Sequence, residues 1–347
     1  MLLAQCWRGA RVARSVFSKL HCGLCPADPW PAVVSPAACL GSPVIPKPAV
    51  TLALTRFRRP TVLIVGCGDI GLRVLKVLQP RWRVLVLTST AARLPQLRAL
   101  GAVPLLGNLD QPATLGRLGG LANAVLHLAP PPAHGERDPR TRALLQALSR
   151  GGRVQRLVYA STSGVYGDCG GALFDETRAV NPTTARAQRR VDAEAQVRHF
   201  GRHTGARVTI LRIPGIYASD REGGHPRERL LRGTPVLVAQ DDVHTNHIHA
   251  DDLARACVAA LLRGRPQRVL HASDDTELTM GDYFDLAADL CGLARPPRIT
   301  RAEAATAMGA MQLSFMGESR RLDNRRLKTE LGLQLRYPTV REGLLNG

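Results

Sequence analysis

From Thr61 onward, short apolar segments alternate with longer amphipathic stretches, and Gly, Pro or Asn bounds each apolar segment. This alternation is typical of βαβ units. The pattern predicts strands near residues 61–65, 83–87, 103–106, 124–128, 154–160 and 208–212. It predicts helices between them near residues 70–78, 91–100, 112–119, 139–149 and 185–201.

The predicted strands, such as VLIV, are apolar on both faces, as expected when helices cover both sides of a sheet. The fold class is therefore α/β, a doubly wound parallel sheet of the Rossmann type over residues 60–213. After Pro214 the pattern loosens, with clear helices near residues 251–262, 280–291, 301–309 and 320–331. These segments predict a small C-terminal substrate lobe over residues 214–347, with some elements returning to the sheet.

Residues 1–59 differ from the rest because they carry eight basic residues, one acid and many prolines. We interpret them as a leader, either an over-extended gene start, which we favour, or an organelle transit peptide. Cys22 and Cys25 form a CxxC motif, but no second pair follows at the spacing of a zinc site.

Composition excludes several function classes. Eight cysteines in 347 residues do not suggest a disulfide framework, so we expect a reducing, cytoplasmic location. No apolar run reaches the length of a membrane-spanning helix. The net charge of +19 comes from 43 Arg and 4 Lys without long like-charged runs, and only 4% of residues are aromatic, so we expect no nucleic-acid partner.

The segment TVLIVGCGDIGLRVLKVL places Gly66, Gly68 and Gly71 between an apolar strand and a helix. In that context GxGxxG predicts a dinucleotide site, because the glycines allow a tight turn and close approach of a pyrophosphate to the helix N-terminus. Asp69 and Ile70 complete the predicted loop.

The end of the second strand predicts which dinucleotide binds. NAD sites usually place an acid there, whereas VLVLTSTAAR has none and offers Ser89 and Arg93 to a 2′-phosphate. We therefore predict NADP and regard NAD as less favoured. The alternative is that Arg93 only solvates a helix start.

Several later segments together resemble one family. RLVYASTSGVYGD, LRIPGIY, HIHADDLARA and the tail RRLDNRRLKTELGLQLRYPTVREGL resemble motifs of extended short-chain dehydrogenase/reductases, the NAD(P)-dependent epimerase/dehydratase family, over roughly residues 61–345. GNLDQPATL resembles the family's adenine-cradling turn, which implies roles for Asn108 and Leu109. AVLHLAPPP resembles its fourth strand near the nicotinamide ribose, which implies roles for Leu128 and Ala129.

The chain departs from the family at the catalytic pair. The resemblance implies a Tyr acting as acid/base and a Lys four residues later, but the matching positions hold Arg186 and Arg190. Arg190 keeps a charge that could reach the cofactor ribose, and the two guanidiniums could hold an anionic ligand between them; the alternative is a solvated basic helix face. Thr162 matches the family's catalytic Ser or Thr, and Tyr166 is the best remaining acid/base candidate, unless it only packs in its turn.

The segment DDVHTNHIHADD is rich in His and Asp, yet no ligand spacing in it is diagnostic of a metal. We predict no metal site there. His249 instead matches a family pattern that positions the following helix.

Two functions remain open at this stage. The first is an NAD(P)-dependent oxidoreductase or epimerase/dehydratase-like enzyme acting on a nucleotide-sugar or another small hydroxylated substrate, with Tyr166, His249 or water as a substitute acid/base. The second is a non-catalytic NADP-binding redox sensor or regulatory module. We expect a small-molecule partner and leave a homodimer open.

Overall fold

The computed structural model describes residues 59–346, so the predicted leader lies outside the described residues except for Arg59. The strands are β1 Thr61–Val65, β2 Arg83–Thr88, β3 Val103–Leu106, β4 Ala124–His127, β5 Arg156–Thr162, β6 Leu173–Phe174, β7 Arg207–Ile213, β8 Gly215–Tyr217, β9 Val236–Leu237, β10 His244–Thr245, β11 His247–His249, β12 Arg268–His271, β13 Leu278–Thr279, β14 Arg298–Ile299 and β15 Arg321–Leu322.

The helices are α1 Asp69–Leu78, α2 Leu94–Ala99, α3 Pro139–Ser149, α4 Ala185–Thr204, α5 Arg227–Leu231, α6 Ala250–Arg263, α7 Met280–Cys291, α8 Arg301–Ala307, α9 Ala310–Met316, α10 Arg325–Leu331 and α11 Val340–Asn346. Three predicted helices differ from the structure. The segment near 320–331 is helical only over α10, because β15 occupies Arg321–Leu322 and pairs with β6. The segment near 91–100 is a 3₁₀ turn followed by the short α2, and the segment near 112–119 is a 3₁₀ helix over Pro112–Leu118. Pro95 has no N–H to donate to the Ala91 carbonyl, so an α-helix that begins at Ala91 cannot continue through it. Gly116 lies inside the segment near 112–119, and glycine disfavours an α-helix.

Seven parallel strands form the central sheet in the order β12-β7-β5-β4-β1-β2-β3. The order reverses at β1, as it does in doubly wound sheets, so the predicted fold class is confirmed. The carboxyl ends of the strands share one edge of the sheet, where ligands bind in such folds. β12 joins this sheet from the C-terminal part of the chain.

Successive residues of the central strands enter two different cores. Val62 and Ile64 pack with α1 and α6 on one face, whereas Leu63 and Val65 pack with α3 and α4 on the other. A strand covered on both faces has no polar side, which is why the strands appear as continuous apolar runs.

A third core joins α7, α8, α9 and α11 with the short strand β9. It belongs to the segment predicted as the substrate lobe. Within residues 59–346, no helix combines the length and apolar character that crossing a bilayer requires.

Candidate functional site

The loop after β1 is built around a glycine that no other residue could replace without strain. Gly66 has φ +89°, and a Cβ there would lie 2.4 Å from the Ala129 nitrogen. The amides of Leu128 and Ala129 both donate to the Val65 carbonyl, at 2.8 and 2.9 Å. The β1 and β4 loops therefore touch backbone to backbone.

Gly68 serves a different purpose, because a Cβ on it would meet no atom within 4 Å. It is the N-cap of α1, and no side chain caps the helix there. The first amides of α1 thus face open space at the positive end of the helix dipole. Such a cradle fits the pyrophosphate of a dinucleotide.

A cavity of about 540 Å³ opens over this loop at the carboxyl edge of the sheet. The structure brings together there every predicted cofactor residue except Arg190: Gly66, Gly68, Asp69, Ile70, Gly71, Ser89, Arg93, Asn108, Leu109, Leu128 and Ala129. The sequence reasoning missed three charged residues that also line it, Asp110, Arg140 and Arg221.

The segment after β2 forms one wall of this cavity. Arg93 donates from Nη2 to the Cys67 carbonyl at 2.8 Å, which holds its guanidinium against the glycine loop. Thr88, Ser89 and Thr90 line the same wall.

Asp110 and Arg140 form a bidentate ion pair beside the Asn108 turn, with N–O distances of 2.7 and 2.6 Å. The Arg140 hydrogen bonds hold the pKa of the Asp110 carboxyl below its usual range. Asn108 accepts from the Asp110 amide through Oδ1 at 3.0 Å, so the turn is braced internally.

A second cavity, of about 490 Å³, adjoins the first and shares Ile216 and Arg221 with it. We call this second cavity the cleft. Its charged wall contains Arg186, Arg221, Arg229, Arg320 and Glu318. The positive excess among these residues favours an anionic ligand.

Thr162 lies in the cleft at the end of β5. Its Oγ1 accepts a hydrogen bond from the Gly164 amide at 3.2 Å, capping the following 3₁₀ turn. The hydroxyl hydrogen therefore remains to be donated to a ligand oxygen.

Arg186 and Arg190 have different surroundings although one helical turn separates them. Arg186 lines the cleft. Arg190 donates from Nη1 to the Ala160 carbonyl at 2.7 Å and to the Tyr159 hydroxyl at 3.1 Å, and it is not among the residues lining either cavity. This placement argues against Arg190 as a cofactor ligand and against an anion held between the two guanidiniums.

The structure also argues against Tyr166 as the acid/base. Its side chain is buried, and its hydroxyl is 2.6 Å from both Arg212 Nη1 and His271 Nε2. Burial raises the pKa of Tyr166 to about 12. The turn that follows Thr162 directs the Tyr166 hydroxyl into the protein, away from the residues that line the cleft.

His249 lies outside the cleft as well. Its Nδ1 accepts from the Asp251 amide at 3.2 Å as the N-cap of α6, and its ring packs 3.9 Å from that of Tyr337. Burial lowers its pKa. It positions a helix, and we do not retain it as an acid/base.

Two histidines, His244 and His247, line the cleft, and the sequence reasoning selected neither. His247 is the more deeply buried of the two. Its ring stacks on Tyr283 with centroids 4.1 Å apart, and burial lowers its pKa to about 3. It is therefore neutral at pH 7. Within residues 59–346, no group of three His, Cys, Asp or Glu side chains has an arrangement that could hold a metal ion.

Comparison with known proteins gives a consistent assignment. A model of the NAD dependent epimerase/dehydratase family matches residues 62–272, more than half of the chain. Protein YeeZ of Escherichia coli (strain K12) is 25% identical over 187 residues, covering 54% of this chain and 60% of YeeZ. The chain thus spans less than two thirds of that curated relative.

Two solved structures extend the similarity. A functionally unknown conserved protein from Silicibacter pomeroyi DSS is 30% identical, with a TM-score of 0.69 over 82% of this chain and 97% of that one. The UDP-glucose 4-epimerase of Thermotoga maritima with UDP-glucose is 21% identical, with a TM-score of 0.68 over 82% and 96%. The second similarity is one of fold.

Proposed function

The chain belongs to the NAD-dependent epimerase/dehydratase family, and on that basis we propose an NADP(H)-dependent oxidoreductase or epimerase/dehydratase-like enzyme that acts on a nucleotide-sugar or another small anionic, hydroxylated compound. The observation that carries the proposal is the junction of the two cavities. Ile216 and Arg221 line both, and Thr162 lies in the cleft, so a substrate hydroxyl near Thr162 can approach a cofactor held on the glycine loop.

The residues present fit a dinucleotide, which when bound would supply hydride transfer. The open side of Gly68 and the α1 amides would receive its pyrophosphate. Arg93 would bind a 2′-phosphate, and Asn108 would hydrogen-bond the adenine edge.

The cleft residues would orient the substrate without a tyrosine. Thr162 would donate its hydroxyl hydrogen to the reacting oxygen. Arg186 remains protonated near neutral pH, so it would bind an anionic group and could not exchange a proton. We propose that water carries the proton, because Tyr166 and His249 both lie outside the cleft.

The arginines at the catalytic pair also support a second candidate, a non-catalytic NADP-binding sensor or regulatory module. Arg190 donates a hydrogen bond to the Ala160 carbonyl of β5 and lines neither cavity. A chain that retained the glycine loop but lost proton transfer would bind the cofactor and report its redox state.

Mass spectrometry of small molecules that co-purify with the native protein tests the proposal directly. We expect NADP(H), together with an anionic hydroxylated compound if the protein is an enzyme. A cofactor without any second compound, combined with no turnover over a broad substrate panel, would favour the sensor. Absence of any dinucleotide binding in titrations would contradict both candidates.

NADP should bind more tightly than NAD, and replacing Arg93 with Ala should remove this preference. Loss of a charge-assisted bond to the 2′-phosphate is expected to cost ~1–3 kcal/mol. Isothermal titration with both dinucleotides measures the effect. Arg98→Ala, on the exposed face of α2, is the matched control. Equal or tighter binding of NAD by the unmodified protein would show that Arg93 only braces the loop.

Turnover of nucleotide-sugars by the unmodified protein should be slow, because proton transfer by a tuned acid/base contributes ~10²–10⁴-fold to rate. Introducing Arg186→Tyr should increase it, since Arg186 lines the cleft at the start of α4. Steady-state rates with NADP(H) measure the change, with Arg202→Tyr, on the exposed end of α4, as control.

Rapid turnover by the unmodified protein would reveal another acid/base and rule out the sensor. Failure of Arg186→Tyr to gain any activity while it still binds NADP would contradict the nucleotide-sugar assignment and leave only the cofactor site.

A further inference from the structure

Arg221 lies where the cofactor cavity meets the cleft and lines both. It belongs to the loop between β8 and α5, in the C-terminal part of the chain. Its Nε is 3.7 Å from Asp69 Oδ2 at the first position of α1. Both atoms are buried, and neither has a hydrogen-bond partner within residues 59–346. Buried donors and acceptors in this state are costly unless a ligand satisfies them.

The neighbouring cation cannot serve a ligand in the same way. Arg73 binds three carboxylates, those of Asp69, Asp220 and Asp251. Its guanidinium is therefore saturated by the protein. The N-terminus of α1 is thus surrounded by three carboxylates and two guanidiniums, which leaves an excess of one negative charge.

A pyrophosphate arriving on the α1 amides would bring two more negative charges next to Asp69. The helix dipole supplies only about half an elementary charge. A cation with free donors must therefore offset the repulsion, and Arg221 is the guanidinium that lines the cavity at that point without a hydrogen-bonded carboxylate on its Nε.

We propose that Arg221 is a clamp, contributed by the C-terminal part of the chain, that binds the pyrophosphate of the dinucleotide on the glycine loop. Its planar guanidinium can donate two parallel hydrogen bonds to phosphate oxygens. This inference rests on the dinucleotide site of the proposed function. Arg221 also lines the cleft beside Ile216, so its contact with the cofactor fixes that side of the cleft. Binding of the cofactor therefore strengthens binding of the substrate, and binding of the substrate strengthens binding of the cofactor by the same factor.

The test is a titration of the full chain with ADP-ribose, NAD and NADP. Arg221→Ala should weaken all three by a similar factor of roughly 10 to 100, since hydrogen bonds between charged groups are lost. Arg221→Lys should recover part of the loss, because a lysine keeps the charge without the two-pronged geometry. Arg227→Ala is the control, since it removes the same charge from an exposed position at the start of α5.

The three ligands separate this role from others. An effect on NADP alone would assign Arg221 to the 2′-phosphate and overturn the clamp. If Arg221→Ala binds ADP-ribose as tightly as Arg227→Ala does, the clamp is wrong while the dinucleotide site stands. If the unmodified protein binds none of the three ligands, the proposed cofactor site itself is wrong, and the clamp fails with it. Thermal unfolding without ligand should be unchanged in both variants.

Discussion

Replacing Arg212 with Met should lower the free energy of unfolding by ~3–5 kcal/mol, because one partner of a buried ion pair would be left without its counter-charge. Arg212 donates to both carboxylate oxygens of Glu194, at 3.1 and 2.7 Å. Both side chains are only 5% exposed. Urea unfolding of the full chain measures the change.

The double variant Arg212→Met with Glu194→Leu is the informative companion. Removing both charges leaves no ion buried, so the double variant should be more stable than the single variant. Arg295→Met, which breaks an exposed pair with Asp289, should leave the unfolding midpoint nearly unchanged. A single Arg212 variant as stable as the unmodified protein would contradict this account.

The pair matters beyond stability because it supports the strand that carries Thr162. Ser161 donates to Glu194 Oε1 at 2.6 Å, and Arg212 donates to the Tyr166 hydroxyl at 2.6 Å. These bonds fix β5 on one side of Thr162 and the 3₁₀ turn on the other. The Arg212 variant should therefore also bind substrate analogues less tightly, even where it remains folded.

The parts of this molecule that sequence analysis predicted are those determined by neighbours in the chain. Strand β1, the glycine loop and α1 follow each other within residues 61–78, so apolar periodicity and glycine spacing were enough to predict the sheet and to select residues that line one cavity. Thr162 could be placed at the end of a strand because the motif around it is local.

What the sequence could not predict depends on pairing over long distances in the chain. The Tyr166 hydroxyl points away from the cleft because it hydrogen-bonds with His271, which is 105 residues away in the sequence. No local sequence pattern encodes that contact. His247 and His249 lie two residues apart on one short strand, and only packing against Tyr283 on α7 shows that His247 is the one that lines the cleft. The place of Arg221 beside Asp69 depends on how the loop between β8 and α5 packs against the start of α1, which no local sequence pattern encodes.

The second large effect concerns the glycine loop. Alanine at Gly66 should lower the stability of the fold, whereas alanine at Gly68 should lower the affinity for the ligand. Gly66→Ala should destabilise the fold itself, by ~1–3 kcal/mol from the positive φ of +89° and by ~1–3 kcal/mol more from displacing the Ala129 backbone. Gly68→Ala should leave stability within ~1 kcal/mol, because its φ of −79° suits alanine and its Cβ would meet no protein atom.

The added methyl of Gly68→Ala would instead occupy the space that a pyrophosphate needs above the α1 amides. Affinity for ADP-ribose should therefore fall by ~10- to 100-fold, a loss of ~1.4–2.8 kcal/mol, while the protein unfolds at the same urea concentration as before. Parallel unfolding curves and ADP-ribose titrations on the two variants separate the roles. Undiminished ADP-ribose binding by Gly68→Ala would mean that the open side of this loop does not receive the phosphates. The methyl group would fill that space, and it adds no hydrogen bond that could restore the lost affinity.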